Sequence, residues 1–127
     1  MTLGSRGDME PYLALGEELK ASGYEVAFCM PEQFRELAGE VSTHFFPMTQ
    51  EYLDLIDSPD VKKITGQIGS GFSRIRTLFK LLRETSPIQE QLIRDQRDAD
   101  INFNPDKIIY HIKCAYPVMA ALRVKRS

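Results

Sequence analysis

The stretch that decides the fold is Gly4-Ser5-Arg6-Gly7-Asp8-Met9-Glu10-Pro11. It lies between a short apolar run at 1–4, predicted to be a first β-strand, and a run at 9–22 whose apolar residues recur with a helical period. Two glycines permit a tight turn and a close approach of the backbone to a ligand. The unpaired N–H groups and the dipole of the following helix favour an anion. The pattern therefore predicts an anion-attracting turn with the Asp8 carboxylate at its mouth.

The spacing of the two glycines argues against a dinucleotide-binding turn. Such a turn requires G-x-G-x-x-G, whereas Gly4 and Gly7 give only G-x-x-G. A strand-to-helix turn of this kind is also common in proteins that bind nothing there, and Asp8 can simply cap the first helical turn. On the pattern alone, a binding turn and a purely structural turn both stay open.

The composition is that of one ordinary globular domain. The chain has 127 residues, of which 43% are hydrophobic and 27% charged, and its formal charge of −2 gives no reason to expect a nucleic-acid partner. Cys29 and Cys114 are predicted to be buried thiols rather than a disulfide, which fits an intracellular location. We expect neither a membrane-spanning helix nor a signal peptide. No cluster of His, Cys, Asp and Glu has the spacing of a metal site.

Strands and helices are predicted to alternate along the chain. The sequence predicts further strands at 24–30, 43–46 and 107–110, and further helices at 32–37, 50–56, 72–97 (restarting at Ser86-Pro87) and 116–124. This alternation predicts an α/β fold with a doubly wound parallel sheet. We assign residues 1–127 to one domain. A central strand usually has five or six residues, so the short run at 1–4 suggests truncation, as does the run at 120–127, which stops before a further expected strand.

The sequences of several segments resemble those of a known family. The opening motif is joined by Pro31-Glu32-Gln33-Phe34-Arg35, by Phe45-Phe46-Pro47-Met48 and by Pro105-Asp106-Lys107-Ile108-Ile109-Tyr110-His111. Together they resemble the N-terminal domain of family-B (GT-B) glycosyltransferases, in particular the sterol and lipid glucosyltransferases and the enzymes that glycosylate antibiotic aglycones. The resemblance implies the Rossmann-like, acceptor-binding half of a GT-B fold. The donor-binding C-terminal domain is then absent from this chain, which alone would be inactive.

The resemblance also implies roles for individual residues. Asp8 aligns with the general base that takes the proton of an acceptor hydroxyl as a hexose leaves a nucleotide sugar, such as UDP-glucose, with inversion. Gly4, Ser5, Arg6 and Gly7 would lie near the donor diphosphate, and His111 would line the cleft for a hydrophobic, hydroxylated acceptor such as a lipid or sterol. The family's chemistry needs no cofactor and no metal, and a cytoplasmic location is expected.

Two further alternatives concern the helix at 72–97 and the chain as a whole. Phe72, Ile75, Phe79 and Leu82 form one stripe and Arg76, Lys80 and Arg83 another, which suits peripheral contact with an anionic membrane but also an ordinary core helix with a solvated face. The chain as a whole suits a non-catalytic half that recruits a separate donor-binding partner or a membrane. A different doubly wound protein that shares only the glycine turn is a third hypothesis.

Overall fold

The computed structural model describes residues 1–42, 44–51, 54 and 71–124. The elements, in chain order, are helix α1 (Arg6–Ala21), strand β1 (Ala27–Pro31), a 3₁₀ turn (Glu32–Phe34), helix α2 (Arg35–Gly39), strand β2 (His44–Met48), helix α3 (Gly71–Phe103) and helix α4 (Ala115–Val124). Within α3, the side chains that the structure describes are those of Arg76, Arg83 and residues 86–103. The chain is therefore an α/β protein, as predicted.

The described part of the sheet is small and parallel. Strands β1 and β2 pair in parallel, from Ala27 opposite His44 to Pro31 opposite Met48. The 3₁₀ turn and α2 make the crossover that two parallel strands require. Strand β2 continues through Pro47 to Met48, whereas the predicted strand ended at residue 46. A proline lacks an N–H, and it is tolerated in a strand whose N–H at that position faces away from its neighbour.

Residues 1–3 lie extended between β1 and the segment 107–111. The Thr2 N–H donates to the Cys29 carbonyl at 3.1 Å, the Met1 nitrogen donates to the Ile109 carbonyl at 2.7 Å, and the His111 N–H donates to the Met1 carbonyl at 2.9 Å. Neither segment forms a regular strand, so the strands predicted at 1–4 and 107–110 are wrong in that sense. In a parallel pair, the next N–H of β1 to bond to this segment would be that of residue 31. Residue 31 is a proline and has no N–H, so β1 cannot donate that hydrogen bond.

Each face of the sheet carries an apolar cluster, because successive strand residues point to opposite faces. One cluster joins α1, β1 and α2 and contains Met9, Leu13, Phe28, Met30, Phe34, Ala38 and Val41. The other joins β1, β2 and α3 and contains Leu3, Cys29, Met48, Leu92, Ala99 and Cys114. Helices thus cover both faces, and the two cysteines are buried free thiols, as predicted.

The two long helices differ from their predicted bounds. Helix α1 begins at Arg6 rather than at residue 9, because Ser5 occupies the N-cap position. Helix α3 runs without interruption through Pro87, so the restart predicted at Ser86-Pro87 is wrong. Proline removes one backbone hydrogen bond, yet the packing of Leu92 and Ala99 onto the sheet holds the C-terminal half of α3 in line.

Polar contacts attach α4 to α3. The buried Gln96 accepts the Tyr116 N–H on its Oε1 at 3.2 Å, and the Tyr116 hydroxyl donates to Asp100 at 2.6 Å. These bonds satisfy an N–H in the first turn of α4, which has no partner within the helix. They also fix the position of the turn at 111–114, which precedes α4.

Some predictions fall partly outside the described residues. The helix predicted at 50–56 is represented by one bond, in which the Asp54 N–H donates to the Gln50 carbonyl at 3.2 Å. The side chains of the apolar stripe Phe72, Ile75, Phe79 and Leu82, and that of Lys80, lie outside the description, whereas Arg76 and Arg83 are exposed. Within the described ranges, no helix is both long enough and apolar enough to cross a bilayer.

Candidate functional site

The turn before α1 has a conformation that only glycine suits. Gly4 has a φ of +141°, and a Cβ there would lie 2.2 Å from Asp8 Oδ2 and 3.0 Å from Lys113 Nζ. The missing side chain therefore lets Asp8 and Lys113 approach the backbone of the turn. Gly7 is under no such constraint, because a Cβ there would meet nothing closer than Ser5 Oγ at 3.8 Å.

One oxygen of the Asp8 carboxylate is fully engaged at the start of α1. Asp8 Oδ2 accepts the Ser5 N–H at 2.8 Å, the Ser5 hydroxyl at 3.1 Å and the Lys113 ammonium at 3.4 Å. The bond from the Ser5 N–H, helped by the Ser5 hydroxyl and the Lys113 charge, holds the pKa of Asp8 below 3.8. Asp8 is thus ionised at neutral pH and held in one orientation.

This arrangement refines the capping interpretation of Asp8. Ser5, not Asp8, is the N-cap, and Asp8 is the third helical residue, whose side chain reaches back to the N-cap N–H. Among the described residues, Asp8 Oδ1 accepts no hydrogen bond, and it faces His111 Nε2 at 3.9 Å. The side chain is 28% exposed. Capping therefore uses one carboxylate oxygen and leaves the other open to a ligand.

His111 lies beside Asp8, with its Nε2 3.9 Å from Asp8 Oδ1. Its backbone N–H donates to Met1, and its Nδ1 accepts the Lys113 N–H at 3.3 Å. Because Nδ1 is an acceptor, the neutral ring carries its proton on Nε2, the atom that faces Asp8. The edge of the ring packs against Tyr12, with centroids 6.3 Å apart. These contacts hold the ring with its Nε2 on the side of the carboxylate.

Lys113 completes the cluster, although no sequence pattern singled it out. It lies two residues after His111 in the turn before α4, 42% exposed, with its ammonium on Asp8. A lysine after an extended segment is too common to single out in a sequence. Only the approach of residues 111–113 to the start of α1 reveals its role, and no local pattern records that approach.

Arg6 does not join the cluster. Its Nε donates to Glu10 Oε1 at 3.2 Å in an exposed pair one helical turn apart. Such pairs are usually solvated surface contacts that contribute little to stability. Within the described ranges, no group of three or more His, Cys, Asp and Glu side chains comes together to hold a metal ion.

Comparison with known proteins identifies the class to which this turn and fold belong. The model of the glycosyltransferase family 28 N-terminal domain matches residues 1–110, and the chain belongs to that family. It is 47% identical over 53 residues to an uncharacterized glycosyltransferase of Mycobacterium leprae, which covers 39% of this chain and 13% of that protein.

Two further relatives carry more specific names. The chain is 42% identical over 45 residues to the O-mycaminosyltylonolide 6-deoxyallosyltransferase of Streptomyces fradiae, covering 35% of this chain and 11% of that protein. It is 43% identical over 47 residues to the glycosyltransferase GtfE of Amycolatopsis orientalis, covering 37% of this chain and 12% of that protein. Each match therefore spans little more than a tenth of the relative's length.

Proposed function

We propose that this chain is the acceptor-binding half of an inverting glycosyltransferase, and that Asp8 is its general base. The observation that carries the proposal is the opening between Asp8 Oδ1 and His111 Nε2, 3.9 Å wide. Two atoms at this separation can both lie about 2.8 Å from a single oxygen atom placed beside them. The opening therefore suits one hydroxyl group.

Each atom of the opening has a matching partner on that hydroxyl. The hydroxyl hydrogen is donated to Asp8 Oδ1, while a lone pair of the oxygen accepts His111 Nε2–H. The oxygen then attacks the anomeric carbon of the sugar, the bond to the nucleoside diphosphate breaks, and the proton passes to Oδ1. A single displacement of this kind inverts the anomeric configuration.

The low pKa of Asp8 limits how early the proton can move. The Ser5 N–H, the Ser5 hydroxyl and Lys113 all stabilise the carboxylate, which makes it a weak base. A hydroxyl becomes far more acidic as its oxygen bonds to carbon, so transfer late in the attack is compatible with such a base. The same contacts fix Oδ1 in position, which favours the reaction by orientation.

Two observations support the choice of acceptor, and a third supports the choice of donor. Ile112, 90% exposed, stands between His111 and Lys113 and offers an apolar contact to a hydrophobic acceptor such as a lipid, a sterol or an antibiotic aglycone. The relative from Streptomyces fradiae is named an O-mycaminosyltylonolide 6-deoxyallosyltransferase, which supports the proposal of sugar transfer to an acceptor. The N-terminus of α1 at the turn Gly4–Gly7 and the Lys113 ammonium beside it favour an anion, which suits the diphosphate of a nucleotide hexose such as UDP-glucose.

The doubly wound fold belongs to the same proposal. Helices on both faces of a parallel sheet, with Met1 and Thr2 bonded on opposite sides, support the assignment to the first half of a GT-B fold. The donor is then held by a second domain that closes over the Asp8 edge. Peripheral contact with a membrane, from which a lipid acceptor is drawn, is a proposal for the same protein.

The decisive experiment is the Asp8→Asn substitution in the protein that joins this chain to a donor-binding domain. Sugar transfer from UDP-glucose and other nucleotide hexoses to sterol and aglycone acceptors is measured by product formation. We expect kcat to fall by about 10² to 10⁴ with little change in KM for the donor, because general base catalysis contributes that much. The product formed by the wild-type protein should have the inverted configuration in its NMR spectrum.

Glu17→Gln is the matched control, since Glu17 is an exposed carboxylate on the same helix, remote from the turn. It should leave kcat unchanged. An Asp8→Asn protein that retains near wild-type kcat would show that Asp8 is not the base. Bound nucleotide sugar without any transfer by the wild-type protein would instead favour the non-catalytic half-subunit.

A further inference from the structure

The two ring nitrogens of His111 make different contacts. Nδ1 accepts the Lys113 N–H at 3.3 Å, and this bond holds the ring against the turn at 111–114. Nε2 lies 3.9 Å from Asp8 Oδ1, which is beyond hydrogen-bond distance. The ring is therefore attached to the turn at one nitrogen and separated from the carboxylate at the other.

Protonation of His111 changes the contacts of both nitrogens. The neutral ring already carries a hydrogen on Nε2, so a proton taken from water binds at Nδ1. The protonated Nδ1 is a donor and can no longer accept the Lys113 N–H, so two N–H groups then face each other at 3.3 Å. The ring thus loses its bond to the turn and becomes a cation beside a carboxylate.

The Asp8 carboxylate attracts this cation. The Ser5 N–H holds the pKa of Asp8 below 3.8, so Asp8 stays ionised between pH 5 and 8, where histidine changes its charge. Charge-assisted N–H···O bonds are about 2.8 Å long, so a ring movement of about 1 Å joins Nε2 to Oδ1. The Lys113 ammonium leaves room for this movement, because it engages the other oxygen, Oδ2.

Within the described part of the chain, the other titratable groups around His111 supply no competing anion. The Tyr12 ring of α1 packs against the His111 ring, and the Cys114 N–H donates to the His111 carbonyl. Burial raises the pKa of both side chains, so each is uncharged between pH 5 and 8. The Met1 nitrogen lies on the neighbouring segment, where desolvation lowers the pKa of its ammonium group. Asp8 is therefore the anion that an imidazolium meets here.

We propose that protonation of His111 closes the site, because Nε2 then binds Asp8 Oδ1 in the place of the acceptor hydroxyl. The contact is autoinhibitory, since the two atoms that the hydroxyl uses bind each other. No oxygen atom fits between atoms that are about 2.8 Å apart, and a carboxylate paired with a cation is a weaker base. This inference rests on the proposed function and adds regulation by pH to it.

NMR spectroscopy of this chain tests the contact without any sugar transfer. The ring ¹⁵N shifts of His111 give the pH at which the ring titrates. Below that pH we expect a slowly exchanging His111 Hε2 signal and an upfield shift of the Lys113 amide proton, because one hydrogen bond forms and the other is lost. His44→Gln is the control, since His44 is the second histidine of the chain and pairs with Glu25. It should leave both changes in place.

The effect on the reaction is measured in the protein that joins this chain to a donor-binding domain. Below the titration of His111, kcat/KM for the acceptor should fall about tenfold for each pH unit, as for inactivation by one proton. His44→Gln should keep this fall at the same pH. His111→Gln takes up no proton there, so the activity that remains in this variant should not fall between pH 8 and 5.

A Lys113 amide signal that does not follow the His111 titration would overturn the proposal, and so would the lack of an Hε2 signal below it. A fall in activity toward low pH that survives in His111→Gln would overturn it as well. Full activity of Asp8→Asn would instead contradict the proposed function, and the NMR titration would still decide whether the contact closes.

Discussion

The Asp8 carboxylate and the Lys113 ammonium lie 3.4 Å apart, although 105 positions separate the two residues in the sequence. Both side chains are partly exposed, at 28% and 42%, so the pair adds little to stability. Its effect is on orientation. Lys113 and Ser5 both engage Oδ2, and this leaves Oδ1 as the oxygen directed at His111.

Replacing Lys113 with methionine should raise the pKa of Asp8 toward 3.8 without reaching it. The larger cause of the low pKa is the Ser5 N–H, which this substitution leaves in place. Because the pKa is depressed on folding, Asp8 stabilises the protein above pH 3.8, and this contribution is lost as the pH falls through the folded pKa. In Lys113→Met, the free energy of unfolding should therefore fall less as the pH is lowered through this range. The carboxyl ¹³C shift of Asp8, followed by NMR against pH, measures the pKa directly.

Lys20→Met is the control for this titration, because Lys20 is an exposed lysine in the last turn of α1. It removes the same charge about 18 Å along the helix from Asp8. At physiological salt, the interaction of two exposed charges at that distance is largely screened. An equal shift of the Asp8 pKa in both variants would mean that net charge, rather than the contact with Lys113, sets that pKa.

Gly4→Ala should destabilise the protein by about 2–4 kcal/mol, since it combines backbone strain with a steric clash. The φ of +141° is unfavourable for alanine, and its Cβ would lie 2.2 Å from Asp8 Oδ2 and 2.8 Å from Asp8 Cγ. Urea unfolding gives the free energy of unfolding. Gly7→Ala, in the first turn of α1, meets nothing closer than 3.8 Å and should be neutral or slightly stabilising. Similar losses in the two variants would contradict the structure of the turn.

Gly16→Ala tests the packing of α1 on β1. Alanine favours a helix, but its Cβ would lie 2.4 Å from the Phe28 ring atom Cζ, and Phe28 is only 5% exposed. We expect a net loss of about 1–3 kcal/mol in the free energy of unfolding, as for other overpacked cores. Gly39→Ala, with nothing within 4 Å, should not lose stability. Adding Phe28→Leu to Gly16→Ala should recover part of the loss, and a strictly additive double variant would argue against direct contact.

The sequence was informative wherever a local pattern determines structure. Helical periodicity located α1 and α4, and the run around Cys29 located β1, because burial on both faces demands apolar residues at every position. The restart at Pro87 was predicted from the same local rules, and it failed because packing of Leu92 and Ala99 on the sheet overrides one missing hydrogen bond. Local helix propensity cannot include this packing of the helix on the sheet.

The residues of the candidate site also fall into two groups, those that a local pattern reveals and those whose position depends on the fold. Asp8 and the Gly4 turn were visible in the sequence because glycine conformation and helix starts are local properties. The resemblance placed His111 in the acceptor cleft, but its contact distance to Asp8 comes from the structure alone. Lys113 could not be foreseen, because its contact depends on how residues 111–114 turn between the extended segment and α4. Two hydrogen bonds set the course of the chain there. The bond from the Lys113 N–H to His111 Nδ1 depends on a side-chain conformation, and the bond from the Tyr116 N–H to Gln96 joins distant parts of the chain.

Raising the pH from 8 to 10.5 should lower the free energy of unfolding in a way that depends on Cys29. Burial raises the pKa of its thiol from 9.0 to about 12, so its protonated form stabilises the fold below pH 9.0, and this contribution is lost as the pH rises toward 12. At pH 10.5 the expected loss from this group is about 2 kcal/mol. Urea unfolding of the wild-type protein and of Cys29→Ala at both pH values isolates the thiol, because the other titrating groups are common to both. The alkaline loss should be smaller in Cys29→Ala by about that amount. Equal losses would mean that the thiol is accessible to water in the folded protein and that Cys29 is not enclosed between β1 and α3.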